Sequence, residues 1–245
     1  MCAAAIALGL FEFYVLAKRL QIKPDTSAGF LAATAILVVS LFVNDLPLNL
    51  LLTQIIVIAL TAGALIAAAL RATAFDKMIT SVGATILGVL YVALLGSHLL
   101  SLRVGFDQTL SAHLLLFFFF VLMGSDTGAY YTGRTLGKHK LAPKISPGKT
   151  WEGVFGGVIA ALGMAAVSHF WFFRELPLKW CLLLAFVMSI VGILGDLTES
   201  ALKRGAGAKD AANILPGHGG ILDRLDSLLF NAPLIYYFAR FYFNS

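Results

Sequence analysis

Between Asp45 and Arg71 the chain runs for 25 residues, Leu46 to Leu70, without one charged side chain. A helix of about 20 apolar residues crosses the roughly 30 Å hydrocarbon layer of a bilayer. Lipid leaves a backbone only two ways to satisfy its own N–H and C=O groups, a helix or a closed barrel. The run is unbroken rather than alternating, which selects the helix. Similar stretches recur at 1–17, 28–43, 78–100, 110–131, 152–173, 178–200 and 221–243. The expected fold is therefore an all-α, polytopic integral membrane bundle with about eight transmembrane helices, the first, second and last being short for a full span. Composition agrees, with 13% charged and 59% hydrophobic residues against about 25% charged in soluble domains. No polar stretch approaches the roughly 100 residues of an ordinary soluble domain. One transmembrane domain is expected, with little chemistry in residues 1–109 and the functional helices and loops in 110–245.

The distribution of charge gives an orientation. If the loops after the first, third, fifth and seventh apolar stretches share one side, that side collects all but Arg103, Arg174, Lys179 and Arg240 of the 18 Lys and Arg residues. The positive-inside rule makes it cytoplasmic. Met1 then falls on the outer face. The first stretch has no basic leader to mark a signal peptide, so either the N-terminus is translocated or, the favoured expectation, a further spanning segment lies ahead of the sequence given. The net charge of +5 sits in short loops and offers no aromatic-basic face to solvent. That excludes nucleic acid and points to anionic small molecules or lipid head groups. Cys2 and Cys181 lie in apolar stretches and form neither a metal-ligand pattern nor a disulfide framework. Glu12, inside the first stretch, reads as a snorkelling or inter-helix-bonded carboxylate. Asp25, Asp45, Asp76 and Asp107 read as solvated loop residues, and His98 and His113 as interfacial ones.

Three polar constellations interrupt the apolar background. The first is Gly124-Ser125-Asp126-Thr127-Gly128-Ala129-Tyr130, where Asp126 and Tyr130 share a helix face and the small residues permit close helix approach. A carboxylate at that depth needs water, a cation or a bonded partner. A helix-packing motif with a structurally bonded Asp remains the plainer alternative. The second is the long basic loop through Lys138, Lys140 and Lys144 to Ser146-Pro147-Gly148-Lys149-Thr150. Its prolines and Gly148 forbid a continuous helix. It ends where the free N–H groups and dipole of the next helix favour an anion. Gly148-Lys149-Thr150 matches only the tail of a P-loop, and a surface loop that merely attracts anionic lipid would look the same.

The third runs from Asp196 to Asp226. Asp196, Glu199 and Ser200 share one helix face, and Asp223 and Asp226 share another. If the two ends meet they form an oxygen-rich site without sulfur or paired histidines. Such a donor set selects Mg²⁺ or a similar hard ion, held by one or two carboxylates together with substrate phosphates. Pro216-Gly217-His218-Gly219-Gly220 offers backbone N–H groups as a phosphate nest before a helix start. Lys203, Arg204 and Lys209 add positive charge.

The pattern Ser200-x2-Lys203-Arg204-x4-Lys209-Asp210-x5-Pro216-Gly-His218-Gly219-Gly220-x2-Asp223-Arg-x-Asp226 resembles the signature of the phosphatidate cytidylyltransferases, or CDP-diacylglycerol synthases. The Ser146-Pro-x-Lys149-Thr-x-Glu152-Gly and Asp126-x3-Tyr130 segments resemble further shared blocks, in the same order. The resemblance covers about Asp126 to Phe243. It implies a membrane nucleotidyltransferase of phospholipid biosynthesis that converts CTP and phosphatidic acid into CDP-diacylglycerol and pyrophosphate. A lipid phosphate oxygen would attack the α-phosphorus of CTP in line, so the protein's task is to position two polyanions and neutralise developing charge.

The resemblance also implies roles. Asp196, Asp223 and Asp226 bind metal. Lys203, Arg204, Lys209 and His218 contact phosphates, His218 with the alternative role of acid to pyrophosphate. Lys149 meets the triphosphate or lipid head group, and Asp126 supports the Mg²⁺ or a second cation. Ser146, Ser200, Asp210, Gly219 and Gly220 complete the substrate site. A homodimer in a bacterial-type inner or plasma membrane, with its active site facing the cytoplasm, is expected. Competing readings are a CTP-dependent polyprenol or phytol kinase, a secondary transporter and a non-catalytic lipid-binding scaffold. The Asp-Gly-x2-Ala-Arg pattern of CDP-alcohol phosphotransferases is absent.

Overall fold

The computed structural model describes residues 2–71, 75–208 and 220–243. Among them eight helical rods follow the apolar stretches: α1 (Cys2–Arg19), α2 (Thr26–Phe42), α3 (Leu46–Leu70), α4 (Phe75–Val104), α5 (Gln108–Leu136), α6 (Trp151–Trp171), α7 (Leu178–Gly205) and α8 (Leu222–Phe243). The five helices α3 to α7 are long and apolar enough to cross a membrane, while α2 is a shorter apolar helix. Charges inside or at the ends of α1 and α8, among them Glu12, Lys18, Asp223, Asp226 and Arg240, set those two apart. The basic loop between α5 and α6, for which the prolines and Gly148 predict only a non-helical segment, holds a short antiparallel hairpin, β1 (Lys140–Ala142) with β2 (Ser146–Thr150).

The helix starts explain several loop residues. Asp25, Asp45 and Asp107 are N-caps whose side chains accept from Ala28, Leu48, and Thr109 with Leu110, respectively. Thr150 caps α6 by accepting from the Gly153 N–H at 3.1 Å. A cap answers backbone donors that helix geometry leaves unpaired, and in an apolar chain few other groups can do so. The aspartates expected to be merely solvated thus set where α2, α3 and α5 begin.

The chain divides into two compact units. One comprises Met1–Val104 with Gly205–Leu225, and the other Gly105–Arg204 with Asp226–Ser245. In the first, α1, α2 and α4 bury Leu10, Tyr14, Ile36, Val89 and Val92. The Tyr14 hydroxyl donates to the Thr85 carbonyl at 3.0 Å, and the Asp25 N–H donates to the Thr85 hydroxyl at 2.8 Å. Arg71 closes the loop side with a 2.7 Å ion pair to Asp25. Over Val89–Leu94, α4 widens into π-helical turns. α3 leaves Ile55, Ile58, Ile66 and Leu70 exposed, a face suited to hydrocarbon.

In the second unit, α5 and α6 pack through small residues. A methyl group on Gly128 would sit 2.7 Å from the Gly156 carbonyl oxygen, so only glycine allows that approach. The small residues that the sequence marked for close packing serve that purpose. Ser125 of α5 and Ser189 of α7 share a buried hydrogen bond of 3.0 Å. Phe117, Phe118, Phe173 and Met188 fill the remaining core.

Gly128→Ala is expected to destabilise the protein by about 1–3 kcal/mol through overpacking. Gly163→Ala, at a helical site with open space, should be neutral or stabilising by up to about 1 kcal/mol; thermal unfolding in detergent compares the two. The Ala28 N–H, with the Arg71 guanidinium adding to it, holds the Asp25 carboxyl below its ordinary range. Its contribution is full above the unfolded value of about 3.9 and is lost as pH falls through the lower folded value. Melting curves of Asp25→Asn should therefore fall less steeply than wild type below about pH 4.

Candidate functional site

The site assembles in the second unit from the C-terminal halves of α5 and α7, the early turns of α8 and strand β2. Gly195 makes it possible: a methyl there would lie 2.8 Å from the Asp226 carbonyl oxygen, so α7 and α8 touch backbone to backbone. Asp196, next in sequence, and Asp226 are thereby neighbours. Ser125 fixes α5 against α7 one residue before Asp126. Asp126 and Asp226 both lie within electrostatic reach of Asp196 and of Lys149.

Lys149, near the end of β2, places its ammonium 2.5 Å from Asp196 Oδ2. Asp196 Oδ1 accepts a hydrogen bond from the Ser200 hydroxyl at 3.3 Å, one helical turn on. Asp196 thus pairs with Lys149 while Asp126 and Asp226 add like charge within electrostatic reach, and like charges so placed are relieved by a further cation. Asp226 also accepts from the Ser227 N–H at 2.6 Å, which fixes its side chain at the helix start.

The hairpin that carries Lys149 is tied at both ends. The His139 ring lies 2.6 Å from Glu152 Oε1, and the Trp151 N–H donates to the His139 carbonyl at 2.9 Å. Arg204 Nε donates to the Ile145 carbonyl at 3.3 Å, so this predicted phosphate contact also braces the hairpin turn. Ser146 stands at the other side of that turn, paired with Ala142 across the strands. Lys203 forms a 2.7 Å ion pair with Glu199, whose side chain is only 1% exposed. Glu199 therefore turns into the protein, away from the half-exposed Asp196 with which the spacing grouped it. Tyr130 accepts from Arg134 Nη1 at 2.9 Å.

Asp223 belongs to the first unit, at the first turn of α8, where its Oδ2 accepts from the Gly220 N–H at 2.9 Å. Asp226, one turn later on the same helix, belongs to the second. Lys209, Asp210, His218 and Gly219 lie outside the described residues. One polar group has a more definite place than its position in an apolar run predicts. Glu12 is fully buried and accepts from the Ile221 and Leu222 N–H groups at 3.0 and 2.7 Å. Its signal in the sequence was a carboxylate inside an apolar run.

Among the described residues no group of three or more His, Cys, Asp and Glu side chains forms a ready-made metal cage. The donor chemistry nevertheless fits a hard divalent ion. Mg²⁺ binds through one or two carboxylates and leaves its other positions to water and substrate phosphates. Asp196 and Asp226, with Asp126 beside them, supply such carboxylates. What the cluster can do is hold a polyanion at the end of apolar helices through Lys149 and a cation.

A family model described as "Cytidylyltransferase family" matches residues 1–242. The chain is 46% identical over 134 residues to a phosphatidate cytidylyltransferase of Haemophilus influenzae, covering 53% of this chain and 46% of that protein. It is 42% identical over 159 residues to a phosphatidate cytidylyltransferase of Bacillus subtilis, covering 64% and 57%. A protein of the same description from Staphylococcus haemolyticus is 51% identical over 123 residues, covering 50% and 47%. These alignments span about half the length of the curated relatives.

Gly195→Ala tests the contact that assembles the cluster. It is expected to cost about 1–3 kcal/mol of stability, read by thermal unfolding in detergent. Unchanged stability would mean that α7 and α8 do not approach at Asp226.

Proposed function

We propose, because this chain belongs to the cytidylyltransferase family, that it transfers the cytidylyl group of CTP to phosphatidic acid. The products are CDP-diacylglycerol and pyrophosphate, which makes the chain an integral membrane enzyme of phospholipid biosynthesis. The observation that carries this reading is Asp196 paired with Lys149, with Asp126 and Asp226 within electrostatic reach of both, where Asp126 and Asp196 sit on two helices apolar enough to span lipid. Carboxylates of a type that suits a hard cation, beside a lysine, support a reading in which a lipid head group and a soluble triphosphate meet there.

In the proposed reaction a phosphate oxygen of phosphatidic acid forms a bond to the α-phosphorus of CTP. The bond from that phosphorus to the bridging α–β oxygen breaks, and pyrophosphate leaves with the electron pair. The nucleophile is already ionised, so no side chain need remove a proton. The protein's work is alignment and charge neutralisation. Lys149 exchanges its Asp196 partner for a phosphate oxygen of the nucleotide or lipid. Asp196 and Asp226 would hold Mg²⁺ with Asp126 in support, and Asp223 keeps the metal-binding role that the signature implies. When bound, Mg²⁺ neutralises the triphosphate and the departing pyrophosphate. Arg204, Lys203, Lys209 and His218 keep their proposed phosphate contacts, with Ser146, Ser200, Asp210, Gly219 and Gly220 around the substrates. The proposed setting is a homodimer with eight spanning helices per chain and the cluster on the cytoplasmic side, as the positive-inside count favours.

Purified chain incubated with phosphatidic acid, Mg²⁺ and CTP labelled at either phosphate tests the chemistry. Label from the α-phosphate is expected in the lipid. Label from the γ-phosphate alone would replace this reading with a CTP-dependent lipid kinase, and no lipid label would remove both. Asp196→Asn is expected to lower kcat by about a hundredfold or more, the scale of losing one transition-state charge partner, with near-native thermal unfolding.

A further inference from the structure

α1 enters the structure as an apolar helix with one carboxylate in its middle, and that carboxylate is 0% exposed. A buried carboxylate is costly unless its oxygens are bonded. Glu12 is bonded to backbone, with Oε1 accepting from the Ile221 N–H at 3.0 Å and Oε2 from the Leu222 N–H at 2.7 Å. These donors are at the start of α8, where helix geometry leaves N–H groups unpaired and the dipole favours negative charge. A residue more than 200 positions away in sequence thus performs the capping task that Asp25, Asp45 and Asp107 perform locally.

Two further contacts make the junction specific. Gly9, one turn before Glu12, faces Leu222 and Leu225 closely enough that an added methyl would lie 3.3 Å from Leu225. Leu222 itself is fully buried. The next N–H back, that of Gly220, bonds to Asp223 Oδ2 at 2.9 Å. Three consecutive N–H groups are therefore divided between two carboxylates, two to Glu12 and one to Asp223. Moving the Ile221–Leu222 backbone would move the Gly220 donor and rotate the turn that aims Asp223.

We propose that Glu12 is a positioning residue: by capping α8 from α1 it fixes the turn that orients Asp223 toward divalent cation and nucleotide. The inference rests on the reading of Asp223 as a site residue. Glutamine in place of Glu12 keeps one acceptor oxygen and turns an amide donor toward a backbone donor, so it loosens the turn with little change in volume.

The test reads Mg²⁺ dependence apart from turnover. With CTP saturating, the melting temperature of the detergent-purified chain is followed as Mg²⁺ is added, and the midpoint of the shift is recorded. Glu12→Gln is expected to raise that midpoint by about tenfold, as loss of a residue that orients a metal ligand does. Asp223→Asn should raise it at least as far. The double variant should go no further than Asp223→Asn, since Glu12 acts through Asp223. Additive effects, or a Glu12→Gln midpoint equal to wild type, would overturn the proposal, as would a wild-type chain that shows no Mg²⁺-dependent shift. Glu12→Asp, with both acceptor oxygens on a shorter stem, should raise the midpoint less. If Glu12→Gln does not fold, an unchanged midpoint in Glu12→Asp overturns the idea. Labelled-lipid formation is measured in parallel. Expected midpoints without lipid product would sink the reaction and leave the positioning role standing; lipid product with unchanged midpoints would do the reverse.

Discussion

An ionised side chain inside or beside an apolar bundle must find a partner, because hydrocarbon supplies none. That constraint runs through the structure. Asp196 meets Lys149 at 2.5 Å, Glu199 meets Lys203 at 2.7 Å, and Glu12 meets two backbone N–H groups at the start of α8. The first and third pairings join segments that apolar packing alone would leave free to slide or turn, while the second lies within one helix. Such charges specify arrangement more than they add stability, since buried ion pairs roughly balance their own desolvation.

The pairings differ in how readily they can be exchanged. Glu199 is almost fully buried and its partner lies one turn along the same helix, an arrangement suited to a fixed scaffold. Asp196 is 38% exposed and its partner reaches it from the hairpin. A pair open to one side can be traded for contacts with a polyanion and its counter-ion. Small residues make this possible, since Gly195 lets α7 and α8 meet and Gly128 lets α5 and α6 meet. Membrane helices gain no hydrophobic drive toward one another, so close approach and hydrogen bonds such as Ser125–Ser189 must hold them.

Much of the helical architecture was legible because lipid restricts the choices: long uncharged runs could only be helices, and all eight apolar stretches appear as helical rods. Five of these meet the length and apolarity of a spanning helix. The site was legible as residue types. Asp126, Lys149, Asp196 and Asp226 stood out because charge is rare in this chain, and they come together. The roles of single loop aspartates were less legible. Asp45 and Asp107 are exposed as expected and Asp25 is half-buried, but each also caps a helix. A capping aspartate differs from a solvated one only in backbone angles at its own position, which one sequence does not reveal. The hairpin around Lys144 was missed for a related reason. Its strands are short and the second contains proline and glycine, so no period-two pattern marks them.

By itself the sequence determined that the chain is helical and suited to lipid, and it singled out the few carboxylates and lysines that stand against the apolar background. These follow from composition and local spacing, which short-range physics reads directly. Tertiary structure decided the partnerships: Lys149 with Asp196, Asp226 beside Gly195, and Glu12 with a helix start on the far side of the sequence. Those depend on distances between segments separated by tens to hundreds of residues, and only the packing of the helices sets such distances.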